Sequence, residues 1–141
     1  MANEAQLLKF AGKWKLEKSE NFDEYLKKME VMLPMRAAAK VMTPTCDIDV
    51  QGGSFVIKMN VPVITLHVQK FTLNQQFEDL LPNGTKQLTQ VNWEDGKIVL
   101  REVDKGDPPH VVTREVSDAG TEMTMTCTKG DIICKRFYRK V

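Results

Sequence analysis

From Thr45 onward the chain is a succession of short alternating runs separated by turn residues, and this texture restricts the fold more than any other feature. Phe55, Ile57, Met59 and Val61 alternate with Val56, Lys58 and Asn60 after Gly52-Gly53. Ile64, Leu66 and Val68 alternate with Thr65, His67 and Gln69, and further runs cover 87–93, 97–103, 111–116, 123–128 and 132–138. The connectors are Pro82-Asn83-Gly84, Asp95-Gly96, residues 105–109, residues 118–120 and Lys129-Gly130. Side chains two apart share a face of an extended chain. Regular alternation between turn signals therefore predicts an antiparallel meander that closes into a barrel or sandwich. Asp47 and Asp49 alternate with Cys46, Ile48 and Val50 and read as the solvated face of one more strand. An early strand over 13–19, with Trp14 and Leu16 on one face, brings the expected number to about ten.

One stretch has a different period. From Asn21 to about Met42 the pattern is helical, with Phe22, Tyr25, Leu26 and Met29 at helical spacing on one face. Asn21 and Glu24 stand at capping-box spacing. Pro34 breaks the first helix and opens a second over 35–41, which Thr43-Pro44 ends. With no repeats and no compositional break, residues 1–141 read as one domain.

Twenty basic against 19 acidic side chains leave almost no net charge. A protein that tracks phosphates normally carries a basic excess, so nucleic acid is not an expected partner. The N-terminal residues hold no long apolar segment and read as no signal peptide, and no stretch approaches the length of a bilayer span. Cys46, Cys127 and Cys134 are odd in number and lack metal-type spacing, which reads as reduced thiols in the cytosol. Asn83-Gly84-Thr85 then reads as a turn and not a glycosylation site.

Parity singles out three polar residues. On the last strand Cys134, Arg136 and Tyr138 share one face, against Ile133, Lys135 and Phe137 on the other. A guanidinium beside a phenol makes a set of donors that suits a carboxylate. Two strands earlier Arg114 shares a face with Val112 and Val116. Facing outward, Arg114 and Arg136 are ordinary solvated residues. Facing inward, they need an anion, because a buried unpaired guanidinium is disfavoured by roughly several kcal/mol.

Longer motifs add a family. Gly12-Lys13-Trp14-Lys15-Leu16 followed by Asn21-Phe22-Asp23-Glu24-Tyr25-Leu26 resembles the intracellular lipid-binding proteins, which include fatty-acid-binding and cellular retinoic-acid-binding proteins. Arg36, Lys40 and Pro44, then Phe71-x-Leu73 with Phe77-Glu78, Asp95-Gly96-Lys97, Thr113-Arg114-Glu115 and Cys134-x-Arg136-x-Tyr138 follow in family order. The resemblance spans essentially the whole chain. It implies a mainly β fold: a ten-stranded antiparallel up-and-down barrel, flattened like a clam, with a two-helix lid after the first strand. It also implies a non-enzymatic carrier that holds a long-chain fatty acid non-covalently, with retinoic acid as the alternative ligand. Carried over by motif, Arg114, Arg136 and Tyr138 hold the carboxylate. Phe22, Tyr25, Leu26, Val31, Met35, Ala39 and Pro44 stand near the entrance, and Met59, Val63, Val112, Met125 and Cys127 line the cavity. Keeping both arginines favours a carboxylate over an alcohol, which cannot meet a two-cation demand.

Val63-Ile64, Thr85 and the long turn at 118–121 depart from the family's pattern, and residues 105–109 look closer to its retinoic-acid branch. No cofactor or metal is expected: His67 and His110 lack ligand spacing, and the chain has no nucleophile elbow, P-loop or dinucleotide fingerprint. Lys27, Lys28, Arg36 and Lys40 make the lid basic. That face reads either as solvated surface or as a contact for anionic membranes or a nuclear delivery partner. The expectation is a monomer of the cytoplasm, with the nucleus as a second compartment.

Overall fold

The computed structural model describes residues 2–61, 64–103 and 108–141. Val63, expected in the cavity wall, and most of the 105–109 loop lie outside the described residues. Ten strands form one sheet: β1 Gly12–Glu20, β2 Thr45–Gln51, β3 Ser54–Val61, β4 Ile64–Thr72, β5 Gln76–Leu80, β6 Lys86–Glu94, β7 Lys97–Glu102, β8 His110–Val116, β9 Glu122–Lys129 and β10 Ile132–Lys140. Their order is β4-β3-β2-β1-β10-β9-β8-β7-β6-β5, and the paired strands run antiparallel. The meander thus wraps into a barrel that is nearly closed, with one seam between β4 and β5. Closure hides all sheet edges but the two at that seam.

Local chemistry sets the corners. Asp95 and Gly96, with φ of 50° and 80°, link β6 to β7. Two successive positive φ angles make the tight turn whose twist suits a hairpin, and Asp-Gly is a preferred pair for it. On β1 the register shifts between Leu16 and Lys18. The first half of β1 pairs with both β2 and β10, and the second half with β10 alone. The bulge lets one strand turn from one half of the clam to the other.

The helix pair follows β1 as expected: α2 covers Phe22–Lys28 and α3 covers Leu33–Val41. Asn21 does precede α2, but its φ of 59° is left-handed and its side chain makes no cap bond. Its Nδ2 donates instead to the Ile133 carbonyl at 3.0 Å, tying the helix entry to β10. The expected capping box is therefore absent at Asn21. The second helix starts two residues before the expected Met35, because Pro34 occupies its first turn, where a missing N–H costs nothing.

A capping box does exist elsewhere. A five-residue helix, α1 Glu4–Leu8, is closed by reciprocal bonds between Asn3 and Gln6 of 2.8 and 3.0 Å. It was not expected, since so short a segment shows no period. It buries Leu7 against the barrel end, where an aromatic cluster fills the core. Phe10 meets Phe55 and Trp93 edge-on at 6.3 and 6.1 Å, and Phe55 stacks on Phe71 at 5.3 Å. Trp14, wholly buried, donates its Nε1–H to the Phe10 carbonyl at 2.9 Å. Arranged this way, the aromatic side chains fill the end of the barrel away from the lid and leave polar inward positions in the middle.

Candidate functional site

Opposite residues on paired strands share a face, so the registers map the inner wall row by row. Arg136 on β10 stands opposite Met125 on β9, which stands opposite Arg114 on β8, and Ile98 on β7 continues the row. Two strand spacings separate the arginines, about 10 Å along the row. Toward the closed end the next row is Leu16, Tyr138, Met123 and Val116. Toward the lid it is Cys134, Cys127, Val112 and Leu100. All three expected head-group residues are buried: Arg114 and Arg136 are 6% exposed and Tyr138 3%.

Burial leaves these groups with a deficit. Arg114 Nη1 and Arg136 Nε are buried without a hydrogen-bond partner among the described residues. An unmet buried donor costs roughly 1–3 kcal/mol, and more where it carries charge. Arg136 lies against the ring of Phe22, its guanidinium carbon 3.6 Å from the centroid. That contact offsets part of the cost. The Tyr138 phenol is pushed upward by burial, although both arginines pull the other way. It stays a neutral O–H donor.

The remaining expected residues divide by location. Tyr25, Leu26, Val31 and Pro44 are buried beneath or beside the lid, and Phe22 and Ala39 are half-buried there. Met35 faces outward on α3 and is 59% exposed. Val112 and Cys127 are buried in the wall, with Met59 and Met125 half-buried. A surface pocket of about 410 Å³ opens between β1, α2 and α3, and Leu16, Phe22, Ala39 and Arg136 are among its lining.

Several inward polar groups escaped the sequence reading. Asp79 on β5 is 8% exposed and accepts from Gln69 Nε2 on β4 at 3.0 Å, a side-chain bridge across the seam. Burial pushes its carboxyl upward, with Gln69, Arg114 and His67 opposing. His110, 3% exposed, meets the Tyr25 hydroxyl at 2.5 Å through Nε2 and Gln87 Oε1 at 3.2 Å through Nδ1. Gln87 gives its own amide N–H to Thr89, so its oxygen is free to accept. That places the proton of His110 on Nδ1 and makes Tyr25 the donor to Nε2. Burial and the nearby Lys129 lower His110 to about 4. Burial first, then Cys127, raises Tyr25.

A signal for these groups existed in the sequence. Asp79 lies between Phe77 and Leu81, and His110 shares parity with Val112 and Arg114. The same alternation that singled out Arg114 applies to both. On β4, by contrast, the apolar set misleads: Leu66 and Val68 are exposed at 44% and 42%, while Gln69 and Phe71 face inward opposite Ile57 and Phe55.

The lid is tied down at two further points. Asn83 Nδ2 in the β5–β6 turn donates to the Met29 carbonyl at the end of α2, at 2.9 Å. Arg36 spans Asp23 and the Val31 carbonyl at 3.2 and 2.9 Å, so it braces the lid and is largely withdrawn from the basic face. Among the described residues no cluster of three or more His, Cys, Asp or Glu has a geometry that could hold a metal ion. No helix among them is long and apolar enough to cross a membrane.

Comparison with known proteins agrees with this architecture. Residues 11–141 match the lipocalin / cytosolic fatty-acid binding protein family. A sodium/calcium exchanger regulatory protein from Doryteuthis pealeii is 37% identical over 93% of this chain and 96% of its own length. A fatty acid-binding protein from Tyrophagus putrescentiae is 37% identical over 95% and 99%. Among solved structures, the REP1-NXSQ fatty acid transporter superposes with a TM-score of 0.82 at 36% identity, covering 93% of this chain and 95% of its own. By sequence and by fold alike, the chain belongs to the lipocalin / cytosolic fatty-acid binding protein family.

Proposed function

We propose that the protein is a non-catalytic carrier of one long-chain fatty acid, with the carboxylate held by Arg114, Arg136 and Tyr138. One observation carries the reading: two guanidinium groups are buried on the inner wall, each with a donor unmet among the described residues. A carboxylate presents two oxygens and about four lone pairs, enough for a donor from each arginine and from Tyr138. The tail supplies most of the affinity, at about 0.8 kcal/mol per methylene buried. The half-buried Met59 and Met125 suit a flexible acyl chain, because thioether side chains repack easily.

Delivery follows from the lid. Met32, Leu33, Met35 and Val41 are exposed beside Lys27, Lys28 and Lys40. An apolar and basic face of this kind supports transfer to anionic membranes, weakened by salt. The carrier acts as a monomer of the cytoplasm, handing its ligand to membranes or to a nuclear partner. Titration of the delipidated protein with oleate, retinoic acid and oleyl alcohol tests the reading. Oleate should bind at least about tenfold more tightly than the alcohol, a difference of about 1.4 kcal/mol. Equal affinity for acid and alcohol would remove the head-group argument, and tighter retinoic acid would change the ligand.

A further inference from the structure

Six polar side chains are buried among the described residues: Arg114, Arg136, Asp79, Gln87, Thr89 and His110. The carboxylate reading uses the two arginines and leaves the other four without a task. Those four are neighbours. Asp79 on β5 stands opposite Gln87 on β6, so their side chains share a face. Gln87 gives an amide N–H to Thr89 and accepts one from His110, which in turn holds Tyr25 of the lid. Gln69 on β4 reaches Asp79 across the seam at 3.0 Å. The interior therefore has a second polar pole besides the arginines.

Strand order places that pole. In the ten-stranded sheet β5 lies five strands from β10, so Asp79 and Arg136 stand on opposite walls of the barrel. A carboxylate held at Arg136 is out of reach of Asp79, whereas its chain, crossing the cavity, meets it. Within the pole most valences are closed, since both ring nitrogens of His110 are used. The Asp79–Gln69 pair is the part left open. Gln69 Nε2 engages one carboxyl oxygen and keeps a second N–H, and the Leu80 N–H adds one backbone bond to the carboxyl. A carboxylate has about four lone-pair sites, so acceptor capacity remains beside a spare donor. A hydroxyl, which donates and accepts at once, fits both. A second carboxylate would meet Asp79 as a like charge. An ammonium would find no firm counter-ion, because burial drives Asp79 toward its neutral form.

We propose that the preferred ligand is a long-chain fatty acid bearing a hydroxyl in mid-chain, with the hydroxyl donating to Asp79 and accepting from Gln69. This rests on the carboxylate reading above and refines it by naming the substituent on the chain. A purely apolar wall rejects a hydroxylated chain, because a buried hydroxyl without a partner weakens binding by about tenfold or more. The Asp79–Gln69 pair turns that penalty into a preference. Against a plain chain the same two groups are covered with their spare valences unmet, so the site discriminates in both directions.

The test titrates delipidated protein with stearate and with 9-, 10- and 12-hydroxystearate, which differ from it by one hydroxyl. At least one isomer should bind about tenfold more tightly than stearate. Asp79→Leu combined with Gln69→Leu should invert that ratio, since the hydroxyl then faces apolar groups alone. Each ratio is taken within one protein, so a general change of stability cancels. Should the double variant fail to fold, the wild-type series decides alone. The proposal is overturned if all three isomers bind wild type no better than stearate, which would leave Asp79 and Gln69 as a brace for the seam. A preference that survives in the double variant would also overturn it. Stearate binding without any hydroxyl preference removes this inference and spares the carrier reading; failure of stearate and all three isomers to bind removes both.

Discussion

Arg136 of the last strand lies against the ring of Phe22 on the lid helix, 3.6 Å from guanidinium carbon to ring centroid. The residue proposed to hold the ligand head is thus in direct contact with the element that covers the barrel. A change of charge at Arg136 would reach the lid through that one stack.

Phe22→Leu keeps apolar volume and removes the ring quadrupole. It should cost about 0.5–2 kcal/mol of stability in the delipidated protein, the range for a desolvated cation–π pair. Urea unfolding measures this. The loss should shrink when oleate is bound, because the carboxylate then takes over the charge of Arg136. An equal loss with and without oleate would uncouple the stack from the ligand.

His110 predicts a pH dependence. Its folded value, about 4, lies below the ordinary 6.5. The unfolded chain therefore binds the proton more readily, and stability is lost as pH falls from about 6.5 toward 4. The full effect is about 3 kcal/mol. Asp79, raised in the folded state, works in the opposite sense. The readout is accordingly the difference between wild type and His110→Gln in urea midpoints taken across that window. The variant should show a shallower loss toward acid; parallel curves would contradict the assignment.

Asn83 joins the β5–β6 turn to the end of α2 through the Met29 carbonyl. Asn83→Ala should cost about 1 kcal/mol locally. It should speed hydrogen exchange in α2 and ligand release while leaving the barrel strands protected. Uniform loss of protection would make Asn83 a residue of global stability instead.

The sequence carried the strand count, the helix pair and the sharing of one face by Val112, Arg114 and Val116 and by Cys134, Arg136 and Tyr138, because a two-residue period and turn residues are local properties; that this face is the inner one came with the family resemblance. It carried Arg114 by the same logic, as a cation between Val112 and Val116. It did not carry the Asn3–Gln6 cap, since a five-residue helix has no period to read. Nor did it yield the partners of Asn21, Asn83 or Arg36, whose bonds to Ile133, Met29 and Val31 depend on how the lid settles on the barrel. On β4 the reading by hydrophobicity was ambiguous. Leu66 and Val68 look like a core face, yet Gln69 turns inward, where Asp79 across the seam can use its amide.

The central claim is that the barrel tolerates buried charge for the sake of an anion, and Arg136→Gln tests it most directly. Removing an unpaired buried cation should leave the delipidated protein as stable or more stable, by about 1–3 kcal/mol. The same change should weaken oleate by about 10- to 100-fold, or about 1.4–2.8 kcal/mol, with little effect on oleyl alcohol. Stability and affinity moving in opposite directions is the predicted result. An unaltered oleate affinity in a folded Arg136→Gln protein would contradict it.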